Sequence, residues 1–113
     1  MAWGTVELEP EVEEWLFSLS DADFGQAAFY IDLLAERGPL LDEPYTRQLR
    51  GKLRELRFYM GRDRQRVSYY LASGQRAILL TVFRKQRARE RAEIERAERA
   101  MERCVLEGHT AEN

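Results

Sequence analysis

The stretch LRELRFYMGRDRQRVSYY, residues 53–70, decides the fold. Apolar and polar side chains alternate in two runs on either side of a segment that contains Gly61 and Asp63. Alternation with a period of two indicates strands, and a short connection with a glycine indicates an antiparallel hairpin. We therefore predict strands over residues 53–60 and 66–72, joined by the turn GRDRQ.

The sequence on either side of this hairpin predicts two more strands. AILLTVF is apolar at nearly every position, as expected for a central strand covered on both faces, and we place this strand over residues 76–84. It follows the second hairpin strand after the turn ASGQ and completes a three-stranded antiparallel meander. WGTVEL, residues 3–8, has the composition of a short strand. GPLLDEPYT, residues 38–46, contains two prolines and is predicted as a loop.

Three helices are also expected. Pro10 followed by glutamates starts the first, and Ser20 caps a second that ends at Gly38. Residues 88–107 form the third, with a narrow stripe of Ile94, Ala97, Met101 and Cys104. The fold class is α+β: an N-terminal strand and two helices packed on an antiparallel sheet, with a C-terminal helix. The 113 residues are expected to form one domain with a frayed tail at 109–113.

Charge is distributed unevenly along a chain whose net charge is only -2. Residues 1–46 carry one basic and eleven acidic side chains, whereas residues 47–89 carry thirteen basic and two acidic ones. Such asymmetry predicts a polyanionic partner for the middle of the chain. The alternative is that the acidic and basic segments pair with each other in the fold.

Alternation also predicts which side chains share a face. Leu56, Phe58 and Met60 should lie under the helices, which leaves Arg57 and Tyr59 on the other face with Arg66 and Tyr70 of the next strand. Guanidinium groups bind phosphate through paired hydrogen bonds, and aromatic rings stack on unpaired bases. This face is therefore predicted to bind RNA.

Composition narrows the chemistry that RNA cleavage could use. The single histidine, His109, lies in the tail, so a histidine-pair nuclease is excluded, and the two acids of the basic segment are too few for a two-metal site. No metal or other cofactor is expected. A site of Arg, Lys, Tyr and perhaps Glu55 remains. It would stabilise the phosphorane by charge and would need its substrate held in line by another body.

The segments LRGKLRELRF, RVSYYL and QRAILLTVFRKQRARERAEIERAERAMER resemble the RelE/HigB superfamily of bacterial toxins, especially its phage-derived branch. The resemblance covers residues 47–103. It implies a ribosome-dependent mRNA endonuclease that inhibits translation and is neutralised by a cognate antitoxin, often of the helix-turn-helix type.

The resemblance also assigns roles to individual residues. Arg57 is the last residue of the "Leu-x-Glu-Leu-Arg" motif and inherits a site role, and Arg66 inherits the phosphate-stabilising role. Lys85 matches a basic, proton-transferring position. Arg84 replaces a family lysine, which preserves phosphate binding but not proton exchange. The proline that the family often has near Ala88 is absent, and Gln65 stands where it usually has tyrosine.

The candidate catalytic residues are therefore Arg57, Arg66 and Lys85, with Glu55 as a candidate acid or base. The candidate RNA-binding residues are seven further cations and two tyrosines of this region: Lys52, Arg54, Tyr59, Arg62, Arg64, Tyr70, Arg84, Arg87 and Arg89.

Two other functions fit the same sequence. The chain could be a non-catalytic RNA- or ribosome-binding module of the same fold, or a protein-interaction module whose arginines bind an acidic partner. The lone cysteine and the absence of a signal-like or membrane-spanning apolar run favour the cytoplasm.

Overall fold

The computed structural model describes residues 2–84 and 90–108. Its order is strand, helix, helix, four strands and helix, with one turn of 3-10 helix at Gly38–Leu40. The elements are β1 (Thr5–Leu8), α1 (Pro10–Phe17), α2 (Asp21–Arg37), β2 (Thr46–Arg50), β3 (Leu53–Met60), β4 (Asp63–Ala72), β5 (Arg76–Arg84) and α3 (Glu90–Leu106). The predicted α+β fold is confirmed.

The strands form one five-stranded sheet in the order β1-β5-β4-β3-β2. The strands β3 to β5 form the predicted antiparallel meander, β2 pairs antiparallel with β3, and β1 pairs in parallel with β5. Strand β5 therefore lies inside the sheet, as its apolar sequence predicted. Strand β2 was not predicted: residues 38–46 were read as a loop, and the strand that follows them was missed.

The turn between β3 and β4 is tighter than predicted. Met60 pairs with Asp63, so only Gly61 and Arg62 connect the two strands. Gly61 has a φ of 65°, a value that L side chains rarely adopt and glycine adopts freely. Strand β4 therefore begins at Asp63, three residues earlier than the sequence indicated.

The two faces of the sheet are covered by different helices. On one face α1 and α2 pack on a large apolar cluster that includes Leu56, Phe58, Val67 and Tyr69. On the other face α3 covers a smaller cluster around Leu53, Tyr70, Ile78 and Leu80. The stripe predicted on the third helix provides the contacts: Ala97 and Cys104 are fully buried, and Ile94 and Met101 pack beside them. Among the described residues, α3 does not cover the end of this second face near the β3–β4 turn, where Tyr59 is exposed.

Helix α2 has the boundaries that its sequence indicated. The Ser20 hydroxyl accepts a hydrogen bond from the backbone N–H of Asp23 at 3.2 Å, and the helix ends before Gly38. Gly38 has a φ of 52°, and a Cβ there would overlap the ring of Trp3. Within the described residues, none of the three α-helices combines the length and apolar character needed to cross a membrane.

Replacing Gly38 with alanine should destabilise the protein by about 2 kcal/mol or more, since the left-handed backbone and the collision with Trp3 act together. The matched control is Gly25→Ala, at an exposed site in α2 where a Cβ would meet no atom within 4 Å. That control should be stabilising by about 0.5–1 kcal/mol. Urea unfolding of both variants measures the difference, and equal effects would contradict this account of Gly38.

Candidate nucleic-acid site

The register of β3 and β4 brings the two central arginines together. Arg57 lies directly opposite Arg66. Two residues along the strands, on the same face, Glu55 lies opposite Ser68. On the other side of β3, Arg47 of β2 pairs with Glu55. Three guanidinium groups from three neighbouring strands therefore surround one carboxylate. We call Arg47, Glu55, Arg57, Arg66 and the α3 residue Glu90 the arginine cluster.

Glu55 is at the centre of the arginine cluster and is fully buried. Its carboxylate oxygens lie 3.2 Å from Arg47 Nη2, 3.5 Å from Arg66 Nη1 and 3.9 Å from Arg57 Nε. Burial raises the pKa of the Glu55 carboxyl above its ordinary value, and the charges of the three arginines offset part of that rise. With no surface exposed, Glu55 is placed to position the arginines rather than to meet a substrate.

The raised pKa of Glu55 predicts how stability depends on pH. A group whose pKa is higher in the folded state contributes stability below its unfolded pKa and loses it as pH rises through the folded pKa. Each pKa unit of that rise corresponds to about 1.4 kcal/mol. Glu90, the other acid of the arginine cluster, has its pKa lowered by the hydrogen bond from Arg66, so it stays ionised above about pH 4.5. The free energy of unfolding of wild type should therefore fall, relative to Glu55→Gln, as the pH rises above about 4.5. Parallel urea-unfolding profiles for the two proteins would contradict this.

Arg66 is buried, with 3% of its surface exposed. Its Nη1 donates to Glu90 Oε1 at 2.5 Å, and its guanidinium lies 6.0 Å from the centre of the Phe83 ring. The prediction that this face binds RNA implied an exposed Arg66, and on that point it was wrong. Strand alternation gives the face on which a side chain lies, but Phe83 of β5 and the first turn of α3 enclose this one.

Arg57 is more open, with 15% of its side chain exposed. Burial and the neighbouring charge of Arg64 lower the pKa of its guanidinium. Arginine is so strongly basic that Arg57 stays charged in a protein. It can therefore hold a phosphate oxygen, but it cannot exchange a proton.

An exposed rim adjoins the arginine cluster at the β3–β4 turn. Tyr59 is 57% exposed and pairs across the strands with Arg64, whose guanidinium lies 5.6 Å from the ring centre. Arg62 is exposed in the turn. Arg84 is exposed at the end of β5, but it pairs with Gln65 and therefore lies on the opposite face of the sheet, which corrects its grouping with the candidate site. The rim therefore combines an open aromatic ring with cations, which suits the stacking of a base and the binding of its phosphate.

The structure separates two predicted RNA-binding residues, Arg54 and Lys52, from this surface. Arg54 points to the opposite face of the sheet, where it donates to the Tyr69 hydroxyl at 3.3 Å and lies 3.7 Å from Asp42. Lys52 lies in the β2–β3 turn, at the far end of β3 from Tyr59. These placements correct the grouping of both residues with the candidate site.

Tyr70 also needs correction, although it lies on the predicted face. It is 5% exposed beneath α3, and its hydroxyl lies 3.2 Å from Cys104 Sγ. Burial raises the pKa of this hydroxyl. No face of the ring is open for a base. Lys85, Arg87 and Arg89 lie outside the described residues, so their predicted roles stay predictions.

Two members of the arginine cluster were not predicted. Arg47 was missed because β2 was not recognised as a strand, and so its alternation was not read against Glu55. Glu90 was missed because nothing in the local sequence shows which strand residue the first turn of the last helix meets. The only signal for Glu90 was its position at a helix start, where acids are favoured.

Comparisons with known proteins show a family and a fold that match those indicated by the sequence and the sheet topology. The model of a family described as "Phage derived protein Gp49-like" matches residues 14–102. Among solved structures, a mutant of the E. coli toxin RelE in the free state superimposes with a TM-score of 0.61 at 16% identity, covering 91% of this chain and 98% of that one. No curated protein sequence matches. The resemblance stated from the sequence motifs is confirmed, and the fold is that of a RelE-type toxin.

Proposed function

The chain belongs to the Gp49-like family of phage-derived proteins, and from that premise we propose that it is the toxin of a type II toxin–antitoxin system. Its activity would be ribosome-dependent, metal-independent cleavage of mRNA, which inhibits translation in the cytoplasm. A cognate antitoxin, of the helix-turn-helix type, would neutralise it. The whole chain would act as one toxin domain.

The observation that carries this proposal is the pairing of Arg57 with Arg66 across β3 and β4, beside an open rim with Tyr59. In RNA cleavage the 2′-hydroxyl attacks the adjacent phosphorus and negative charge accumulates on the phosphorane oxygens. Fixed guanidinium groups stabilise that charge more strongly in the transition state than in the ground state, which is what accelerates a reaction. Arg57 and Arg66 would take this role.

Proton transfer is the demanding part of such a site. Glu55 has no exposed surface, and the arginines cannot give up protons. We therefore propose that Lys85 or the exposed Tyr59 transfers the proton, and we expect catalysis to be weak on free RNA. Ribosomal RNA and codon–anticodon pairing would supply the in-line geometry, an advantage of positioning that intramolecular reactions show to be large.

Primer extension on an mRNA engaged by translating ribosomes tests the proposal. Purified full-length protein should produce cuts at defined codon positions, and the same mRNA without ribosomes should stay intact. Absence of cuts on ribosomes, from protein shown to be folded by circular dichroism, would overturn the endonuclease assignment.

The buried state of Glu55 favours a second function, a non-catalytic RNA- or ribosome-binding module. Such a protein would bind single-stranded RNA with a steep dependence on salt, because its cations release counterions, yet cut nothing. Failure to bind RNA even at low salt would favour the third reading, a module that binds an acidic protein.

A further inference from the structure

Glu90, the first residue of α3, accepts hydrogen bonds from arginines on two different strands of the sheet. Its Oε1 accepts hydrogen bonds from Arg66 Nη1 at 2.5 Å and from Arg47 Nη2 at 3.0 Å. One carboxylate oxygen is thus held by guanidinium groups of β4 and β2. Two cations converging on one anionic oxygen is also the arrangement that binds a phosphate oxygen.

The two acids of the arginine cluster differ in how easily they could leave it. Glu55 is fixed on β3 and fully buried, whereas the Glu90 side chain is 41% exposed. Arg66 also retains binding capacity: among the described residues, its buried Nε has no hydrogen-bond partner. A ligand with several anionic oxygens could use this donor as well as those that Glu90 now engages.

We propose that Arg47 and Arg66 form a phosphate-binding subsite that Glu90 fills in the free protein and that a phosphate of the substrate takes by displacing Glu90. This deepens the proposed function, on which it rests for the identity of the phosphate as one of RNA. Arg47 thereby becomes a substrate-binding residue, and Glu90 an internal competitor that weakens binding of free phosphates.

Glu90 can leave without the rest of α3. Farther along the helix, Arg96 donates to Glu11 at 2.5 Å and to the Val82 carbonyl at 3.1 Å, and Arg50 donates to Glu98 at 2.9 Å. The apolar stripe of α3 is buried independently of Glu90. A rotamer change at the exposed helix start is therefore enough to open the subsite.

Calorimetric titration of the full chain with inorganic pyrophosphate tests this. Glu90→Gln should bind pyrophosphate about fivefold more tightly than wild type, the upper range for removal of a partly exposed ion pair. Glu98→Gln is the matched control: it removes the same charge from the same helix, and its affinity should rise less than about twofold at a given salt. Adding Arg47→Gln to Glu90→Gln should abolish the gain.

Equal affinities of Glu90→Gln and Glu98→Gln would overturn the subsite, since the effect would then be one of net charge. So would a gain that persists without Arg47. Glu90→Asp provides a check that keeps the charge and shortens the side chain, and it should show part of the gain.

The ribosome assay distinguishes failure of the subsite from failure of the proposed function. Pyrophosphate results as expected with no mRNA cuts would retain the subsite and reject the toxin activity. Cuts in the mRNA together with equal pyrophosphate affinities of Glu90→Gln and Glu98→Gln would retain the toxin activity and reject the subsite.

Discussion

Arg66→Lys should slow ribosome-dependent mRNA cleavage by about 100-fold or more, the range found when one preorganised donor to a developing oxyanion is removed. Lysine keeps the positive charge but loses the planar fork of donors, of which Nη1 lies 3.5 Å from Glu55 and 2.5 Å from Glu90. If phosphate takes the place of Glu90, Nη1 donates to it instead, and lysine cannot reproduce the geometry of that donor. The rate of cleavage at a single codon position, followed by primer extension over time, measures the effect.

Lysine is chosen over alanine because Arg66 is buried. Removing one partner of a buried ion pair leaves the other charge uncompensated, which costs about 3–5 kcal/mol and would confuse unfolding with loss of activity. The matched control is Arg50→Lys. Arg50 lies on β2 and bonds to Glu98, away from the arginine cluster, so its rate should stay within about twofold of wild type. Folded Arg66→Lys protein that cuts as fast as wild type would remove Arg66 from the site.

The strands that could be predicted are those with one apolar and one polar face. Leu56 and Phe58 on β3, and Val67 and Tyr69 on β4, all lie in the apolar cluster under α1 and α2, as alternation required. The opposite face follows automatically, so Arg57 and Arg66 were correctly placed together. The antiparallel pairing followed from the short connections, because two strands joined by a few residues can pair in no other way.

Strand β2 could not be predicted because its sequence is mostly polar, a composition that is common in edge strands. TRQLR contains one large apolar residue, Leu49, and polar edge strands are common because they discourage pairing with other chains. Its pairing with β3 is a long-range property of the sheet. Missing the strand meant missing Arg47, which contributes a third guanidinium to the site.

The errors at Tyr70 and Arg54 have different causes. Tyr70 is on the predicted face, but whether a face is open depends on where α3 packs, and periodicity within a strand carries no information on that. Arg54 was included for its charge alone, although its even-numbered position already placed it with Leu56 on the face covered by α1 and α2. There the position of the residue in the strand was the better guide, and the charge is accommodated by Asp42 and the Tyr69 hydroxyl.

Leu79→Ala should have the largest effect on stability, lowering the free energy of unfolding by about 3 kcal/mol. Leu79 is fully buried in β5, where it pairs with Leu8 of β1 on one side and Tyr69 of β4 on the other. Truncation removes apolar contacts on both sides, and the strands that flank β5 hold the backbone in place, so the cavity cannot collapse. Thermal unfolding should show a midpoint lower by more than about 10 °C for a domain of this size.

The control for this substitution is Leu40→Ala, which removes the same atoms from a side chain that is 85% exposed and should change stability by less than about 0.5 kcal/mol. Because Leu79 is not part of the arginine cluster, the folded fraction of Leu79→Ala should keep wild-type cleavage at each temperature, although β5 also carries Phe83 beside Arg66. A loss of activity at temperatures where the variant is fully folded would mean that β5 transmits the change to the arginine cluster. A stability loss no greater than that of Leu40→Ala would instead contradict the central position of Leu79 in the core.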